Sequence, residues 1–471
     1  MKTIRLIYVC AMMLTMSACE NFLDITPEGQ EKRDDLLSTA DGIEDAMYGV
    51  YSQMRGENLY GKELSFSALD IMAQYFYSYG NYKAENLLKY NYKYSTVEST
   101  FEGVWTSMYA NISNANSVLN CDLVNGATEY PYSIYRGEAL GLRAFMHFDL
   151  LRLFTEQITR NPNASGIPYA TEFSLNTPDF STAAQVYEKI IADLKLAESL
   201  LADEGRYVGE SDYMQMRQIH FNVHAVRATL ARVYLTMGNY GQAEYYARKV
   251  IDESGRSLVR RNELVGDVAG VLSRTEAVFG IYSATEFYSY VYDNLWLTTS
   301  FFALSPRSDY DTFYTSEDGS DYRLTAFFTT TLDGVLRFTK ILDQYKKDSN
   351  EANRPSDMIP GINLIRLPEM YYIVAECLTR DGQIEEAAKK LDAVRASRGI
   401  EISTDWSVQT QETMLDLINA DRYREWIGEG QSFYNMKRQN MTITNQNGEK
   451  ISPSNSVYVV PVPDIEYDYR N

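Results

Sequence analysis

At 471 residues, with 45% apolar and 23% charged side chains, the chain is globular in composition and long enough for two or three domains' worth of core, or one large one. A formal charge of −20 excludes nucleic acid as a partner, because an acidic surface repels phosphate backbones and anionic lipid heads. The unusual figure is 38 tyrosines; a flat apolar ring with a polar tip suits a wet binding surface, although many of these rings belong in a core.

Lys2 and Arg5 precede an apolar run from Leu6 to Met16, which is too short to span a bilayer as a mature helix. Met16-Ser17-Ala18-Cys19 follows, with the small residues that a signal peptidase needs. It is similar to a bacterial lipobox, with Met16 where Leu is usual. Residues 1–18 are therefore expected to be a lipoprotein signal peptide, and Cys19 the acylated N-terminus of a tether over 19–37. A single acyl chain holds a protein only marginally, whereas a triacylated cysteine anchors it. Beyond Cys19 only Cys121 and Cys377 remain, so no disulfide framework is implied; Cys377 reads as a buried, inert thiol.

Ser38-Thr39-Ala40-Asp41 is a capping signal that opens a helix to about Met54, with Ile43, Ala46, Met47, Val50 and Tyr51 on one face. A tyrosine-dense segment follows, Tyr60, Tyr75, Tyr77, Tyr79 and Tyr82, interrupted by the turn residues Gly61, Gly80 and Asn81. Part of it is irregular, so some of these rings are expected at the surface. Residues 97–120 and Arg136–Phe154 read as helices, and 161–179 as a proline-bearing loop. Thr182-Ala183-Ala184-Gln185 is a capping box starting a helix to about Leu201, and 204–219 reads as a polar connector.

Two helical hairpins then stand out. One runs through Arg227–Tyr234, Gly238, Ala243, Ala247 and Val250, the other through Met370–Leu378, Gly382, Ala387, Leu391 and Val394 to a capping Gly399. Aligning Gly238 with Gly382 pairs Leu230 with Val374, Ala231 with Ala375, Tyr234 with Leu378, Ala243 with Ala387 and Ala247 with Leu391. These are the slots of a tetratricopeptide-type (TPR) repeat, in which small residues let two antiparallel helices touch. The first slot holds Arg227 and Tyr371, so the repeats are divergent. Such a scaffold binds; it does no chemistry by itself. After the second hairpin, helices are expected at Val408–Ile427 and Gln431–Gln439, a closing loop around Gly448 and Pro453, and a short strand at Val457–Val462.

Between the hairpins the pattern changes. Phe287, Tyr288, Tyr290, Tyr292, Trp296, Phe301, Phe302, Tyr310, Phe313, Tyr314 and Tyr322 cluster among Asp, Ser, Thr and Gly without helical period. Residues 256–355 therefore read as an irregular lobe. No phosphate-binding glycine loop or nucleophile elbow is present. His220 and His224 have the spacing to share a helix face as metal ligands, but no third ligand is evident; His147 reads as a hydrogen-bonded core histidine. No enzyme activity, metal or cofactor is expected.

Several pieces, in order along nearly the whole chain, resemble the SusD/RagB family of outer-membrane nutrient-binding lipoproteins of Bacteroidetes. They are the lipobox with Phe22-Leu23-Asp24 and Pro27; Trp105, Tyr109, Ile112 and Asn116; and Leu142-Arg143-Ala144-Phe145 with His147-Phe148-Asp149-Leu150-Leu151-Arg152. They continue with Val186-Tyr187, Ile190 and Asp193-Leu194, the hairpin at 225–251, and Arg366-Leu367-Pro368-Glu369-Met370-Tyr371. Asp421-Arg422, Glu425, Glu429-Gly430, Phe433, Lys437-Arg438 and Val460-Pro461-Val462-Pro463 complete the set; Asn435 stands where the family more often has Asp.

The resemblance implies a mainly α, TPR-like superhelical scaffold with little β. It implies N-terminal helices over 38–255, a ligand-binding lobe over 256–355, C-terminal hairpin and helices over 356–440, and a closing tail over 441–471. It implies a lipid-anchored outer-membrane protein that captures oligosaccharide, or less often peptide, for a SusC-like TonB-dependent transporter. Trp296, Tyr290, Tyr292, Tyr77, Tyr79 and Tyr82 are the expected ring platform. The rival readings are a periplasmic TPR adaptor and a glycan-cleaving lipoprotein.

Overall fold

A computed structural model of the chain describes residues 33–174, 176, 178–260, 263–267, 272–297, 303–314, 321–332, 334–400, 406–468 and 470. The expected signal peptide, Cys19, Phe301 and Phe302 lie outside the described residues. Ten longer helices build the frame: α1 (Ala40–Met54), α2 (Ser95–Leu119), α3 (Tyr132–Phe154), α4 (Ala183–Leu201), α5 (Val223–Thr236), α6 (Tyr240–Glu253), α7 (Leu367–Arg380), α8 (Ile384–Ser397), α9 (Gln411–Glu425) and α10 (Ser432–Gln439). Strands among the described residues pair only as short antiparallel ladders. They join β1 (Phe76–Tyr77) to β5 (Ser305–Pro306), β2 (Ser165–Pro168) to β3 (Phe180–Thr182), β4 (Ala277–Tyr282) to β8 (Gly361–Arg366), β6 (Phe328–Thr330) to β7 (Leu336–Phe338), and β9 (Ile443–Thr444) to β10 (Lys450–Ile451).

The caps lie where the sequence puts them. The Thr39 hydroxyl accepts from the Gly42 N–H, and Thr182 and Gln185 form a reciprocal capping box. Gly238 and Gly382 turn each hairpin with φ of +75° and +80°, a backbone region that side chains disfavour. Consecutive helices then pack pairwise: α2 on α3, α3 on α4, α4 on α5, α5 on α6, α7 on α8, and α9 on both. Ala231, Ala243, Ala375 and Ala387 are fully buried at the hairpin contacts. Helix α6 packs directly on α7, although the whole lobe lies between them in sequence. The lobe is looped out of a continuous stack, and the β4–β8 ladder clasps its two ends. Arg232 of α5 fastens that clasp, donating to Leu364 O at 2.7 Å and pairing with Glu369 at 2.5 Å.

Helix α3 is the central rod, buried on nearly every side. A Cβ on Gly141 would stand 2.5 Å from the Phe221 ring, so glycine permits this approach. His147, inside α3, has Nδ1 at 2.8 Å from the Arg143 carbonyl, while its Nε2 accepts from the Ala170 N–H at 3.0 Å. Burial pushes its pKa down to about 3, so it is a neutral core histidine.

Beneath the C-terminal half lies a network of buried ions. Glu425 faces Arg366 at 2.8 Å, Arg398 at 2.8 Å and Arg323 at 3.4 Å. Glu276 pairs with Arg366 and Arg398, Arg323 with Asp321 and Asp421, and Glu429 with Arg366 and Lys340. Burial alone would raise the Glu425 pKa; Arg398, Arg366 and Arg323 outweigh it and hold the carboxyl well below its ordinary range. A second cluster gathers Arg422, Arg438 and Arg380 on Glu376.

Three sequence expectations change. The 204–219 connector is not merely polar: Tyr213 and Met214 are buried, and Arg217 pairs with Glu204 at the connector's start and ties it to Glu138 of α3. The expected strand at 457–462 is absent; Asn455–Tyr458 is a helical turn, and Pro461 and Pro463 have no N–H for a ladder. His220 and His224 do not share a helix face. Asn222 caps α5 after His220, whose extended backbone turns its ring onto Tyr213, 4.4 Å between centroids.

Candidate ligand-binding face

Strand alternation sets the first group of rings. Phe76 and Ser78 are buried, while Tyr77 is half-buried and Tyr79 is 86% exposed. The Tyr77 and Tyr79 rings meet edge to face at 5.2 Å. Gly80 turns the chain at φ +82°, and the Asn81 side chain caps the Tyr82–Leu88 helix by accepting from the Ala84 N–H. That leaves Tyr82 at the first helical position, 61% exposed. Tyr60 and Tyr75, by contrast, are core residues; the Tyr60 hydroxyl donates to Asp149 at 2.8 Å.

The second group sits on a helix that the sequence reading missed. Glu286–Val291 is α-helical and continues through a wider turn to Trp296, closed by the Leu297 N–H on the Tyr292 carbonyl. Phe287, Val291 and Leu295 form its buried stripe, four residues apart. The tyrosines between them hid that period. Tyr290, Tyr292 and Trp296 are therefore half-buried rings leaning on the core, not rings held out on a free loop. Tyr288 lies 5.4 Å from Tyr292. The Lys347 ammonium lies 5.0 Å over the Trp296 ring, and Lys346 sits 5.4 Å over Tyr288. Phe287 and Tyr314, also taken as lobe rings, are core.

The two groups rest on one piece of framework. β1 pairs with β5, so Tyr77 opposes Ser305. The Leu304 N–H donates to Asn294 O at 2.7 Å, and Arg337 of β7 holds the Trp296 carbonyl at 3.0 Å. A chain of ion pairs also runs between them: Lys83 to Glu63 at 2.7 Å, and Lys62 to both Glu63 and Glu57. Arg55 reaches Glu286, beside Tyr290, at 3.2 Å. Burial, with Glu57 and Glu286 nearby, raises the Tyr290 pKa; burial, with Tyr292, Asp343 and Glu351, raises that of Tyr288. Both phenols therefore keep the proton they can donate. Lys347 and Glu57 flank the face without having been expected there, and no local sequence signal marks them, because they reach it through the fold.

No group of three or more His, Cys, Asp or Glu among the described residues is placed to hold a metal. Burial pushes the Cys377 thiol up to about 12, which leaves it inert. No helix among them is long and apolar enough to cross a membrane.

A helical-repeat stack carrying a looped-out lobe with clustered aromatic rings defines a binding protein built on a TPR-like frame. Residues 21–235 match a family model described as "Starch-binding associating with outer membrane", and residues 231–469 match that of the SusD family. The chain belongs to the SusD family, whose members bind ligands rather than convert them and are associated with the outer membrane. It is 27% identical over 269 residues to the SusD-like protein P2 of Formosa agariphila, covering 54% of this chain and 47% of that relative. It is 21% identical to the SusD-like protein P38 of the same organism, covering 94% of this chain and 92% of that one. Among solved structures, a SusD superfamily protein from Bacteroides thetaiotaomicron matches with a TM-score of 0.73 at 24% identity, covering 91% of this chain and 98% of the other. A SusD-like carbohydrate binding protein from Bacteroides vulgatus matches at 0.72 and 19%, covering 91% and 96%. These likenesses show the fold.

Proposed function

We propose that this chain is a lipoprotein of the cell exterior, anchored through Cys19, that captures a glycan on the rings of Tyr77, Tyr79, Tyr82, Tyr290, Tyr292 and Trp296. It passes the glycan to a SusC-like TonB-dependent transporter on which it sits. The observation that supports this reading is the pairing of β1 with β5 together with the Leu304 N–H on the Asn294 carbonyl, which tie the segment bearing Tyr77 to the helix bearing Trp296. A sugar's C–H face lies on an aromatic ring, and its hydroxyls bond to short polar side chains. One ring covers roughly 60–80 Å² of sugar, or about 1.5–2 kcal/mol at about 25 cal/mol/Å². Association costs several kcal/mol, so two or three rings must act together. Binding is then weak per epitope, which suits a polymer carrying many copies.

Affinity electrophoresis through gels containing single polysaccharides, comparing wild type with Trp296→Ala, tests the reading. A retarded polymer should retard the variant less. Equal retardation would remove Trp296 from the site. Labelled palmitate should enter the wild type and not Cys19→Ser.

A further inference from the structure

Three helix ends meet at a cleft that shares no residue with the ring face. α4 and α6 finish there, α5 begins there, and Val278 of β4 also lines it. The cleft encloses about 360 Å³, within the range of about 300–1,000 Å³ usual for ligand sites. Its walls are charged: Arg217, Arg227, Arg256 and His224, with Glu204 and Glu253. No Tyr, Phe or Trp is among the described residues that line it, so it offers a sugar no face to stack on.

The guanidiniums are not equivalent. Arg217 pairs with Glu138 at 2.5 Å and Glu204 at 2.6 Å, and Arg227 with Glu198 at 3.0 Å and Glu253 at 2.6 Å. Arg256 meets no carboxylate among the described residues; its side chain reaches only the Arg274 carbonyl, at 3.5 Å. Burial lowers the Arg256 pKa below its ordinary value with nothing to offset it. Burial acts the same way on Arg217, but Glu138 and Glu204 outweigh it and raise the pKa. A half-buried cation without a counter-ion is costly, and the core elsewhere pairs arginines such as Arg143, Arg366 and Arg398 with carboxylates.

Two further polar atoms of the lining residues are unpartnered. Arg217 directs Nε and Nη2 to Glu204 and Glu138, while its Nη1 is buried and meets no acceptor. His224 Nδ1 is buried and unpaired as well; burial, with Arg227 and Arg256 nearby, pushes that ring's pKa down to about 4 and keeps it neutral. Buried polar atoms are nearly always hydrogen-bonded. Two orphans around one cavity, beside an uncompensated arginine, make it a place for an acceptor-rich anion. The end of α5 is not the anion's seat, because Glu204 takes the Val223 N–H and Asn222 takes those of His224 and Ala225. Side chains must hold it.

One unbalanced cation also sets the charge. A phosphomonoester carries about −1.5 to −2 at pH 7 and would bring its second charge against Glu204 and Glu253. A carboxylate carries one, and its two oxygens match the guanidinium fork. Hydroxyls on the same molecule can donate to Glu253, whose side chain is half exposed.

We infer that the cleft where α4, α5 and α6 meet binds a small organic acid, whose single carboxylate pairs with Arg256 beside Arg217 and His224. The site differs from the ring face in residues and in chemistry, so its failure would leave the glycan reading untouched.

The test titrates the whole mature protein with gluconate, lactate and benzoate, and with sorbitol, which matches gluconate except for the carboxylate. Ligand-observed NMR should show saturable binding of at least one acid below roughly 10 mM, and none of sorbitol. Arg256→Gln should weaken that binding about tenfold or more, because a neutral amide replaces a charge-assisted pair. Gly205→Phe should block it, since Gly205 lines the cleft and a Cβ there meets nothing within 4 Å. Without ligand, Arg256→Gln should melt at or above the wild-type temperature, since it removes an uncompensated charge. The Tyr79→Ala/Trp296→Ala double variant should bind the acid as wild type does. Equal binding of sorbitol, inorganic phosphate binding in preference to every acid, or indifference to both cleft variants would overturn the assignment. So would a ligand-free Arg256→Gln that melts well below wild type, or no saturable signal with any acid up to roughly 10 mM.

Discussion

The buried ion network under the C-terminal helices and the ring-bearing face shared by residues 77–82 and the lobe are opposites in construction. In the first, charges removed from water hold each other in fixed geometry: Glu425 alone faces three guanidiniums. In the second, rings are anchored on one side by core contacts, with Tyr79 and Tyr82 left largely in solvent. The residues that carried the family resemblance are mostly core side chains and, where charged, buried partners of the frame. Arg143 pairs with Asp193, Arg366 with Glu425 and Glu429, Arg422 and Arg438 with Glu376, and Lys437 donates to the carbonyl of Arg152. These motifs specify a frame, whereas the proposed ligand face is written in residues that no motif marked.

The sharpest way to break this comparison is to remove a charge from the network. Glu425→Ala leaves Arg366, Arg398 and Arg323 without their shared carboxylate, which should cost about 3–5 kcal/mol because the remaining charges stay buried. Urea unfolding should show it as a large drop in midpoint. A drop under about 1 kcal/mol would mean that the network is solvated and resembles a surface pair.

A change in the face should act on binding and not on the fold. Tyr79→Ala is expected to weaken glycan binding about tenfold, the equivalent of about 1.4 kcal/mol, and to leave the melting temperature unchanged. Titration calorimetry with the retarded glycan's oligosaccharides, beside a thermal melt, separates the two effects.

Acid should weaken the frame before it touches the face. His147 and His224 have folded pKa values lowered by burial to about 3 and about 4. A depressed folded value means that the unfolded chain takes up protons first, so their contribution is complete above about pH 6.5 and is lost as pH falls. The carboxylates held low, Glu425, Glu376 and Glu138, act in the same direction but only below the ordinary Glu range. The two histidines should therefore contribute a decline in urea stability between about pH 6.5 and 5, of up to about 1.4 kcal/mol per pH unit each, while Asp70, raised by burial, acts in the opposite direction. His147→Gln should flatten that slope. The smallest effect belongs to Thr182→Ala, which removes one half of a capping box and should cost about 1 kcal/mol.

The frame was legible because its cues are local. Thr39 and Thr182 cap where a hydroxyl meets a free N–H, Gly238 and Gly382 turn where φ is positive, and Ala231 and Ala375 mark close contacts. The face was legible only as composition. Tyr79 and Tyr82 are exposed as expected, but Tyr60 and Tyr75 satisfy their hydroxyls in the core, a matter of long-range partners such as Asp149 and Ser432. Trp296 illustrates the same limit: its polar neighbours suggested a free loop, while Phe287, Val291 and Leu295 make that stretch a docked helix. The ion network was invisible in sequence, because Glu276 and Arg398 meet only once the β4–β8 clasp closes.

The central claim is that ligand capture belongs to the ring face and is separable from the frame. Its most direct test is titration calorimetry of one bound oligosaccharide against wild type, the Tyr79→Ala/Trp296→Ala double variant and the frame variant Thr182→Ala. The account predicts that the double variant loses measurable binding while still melting cooperatively as a folded protein, and that Thr182→Ala binds the oligosaccharide unchanged. Full-affinity binding by the double variant, or loss of oligosaccharide binding in Thr182→Ala, would contradict it.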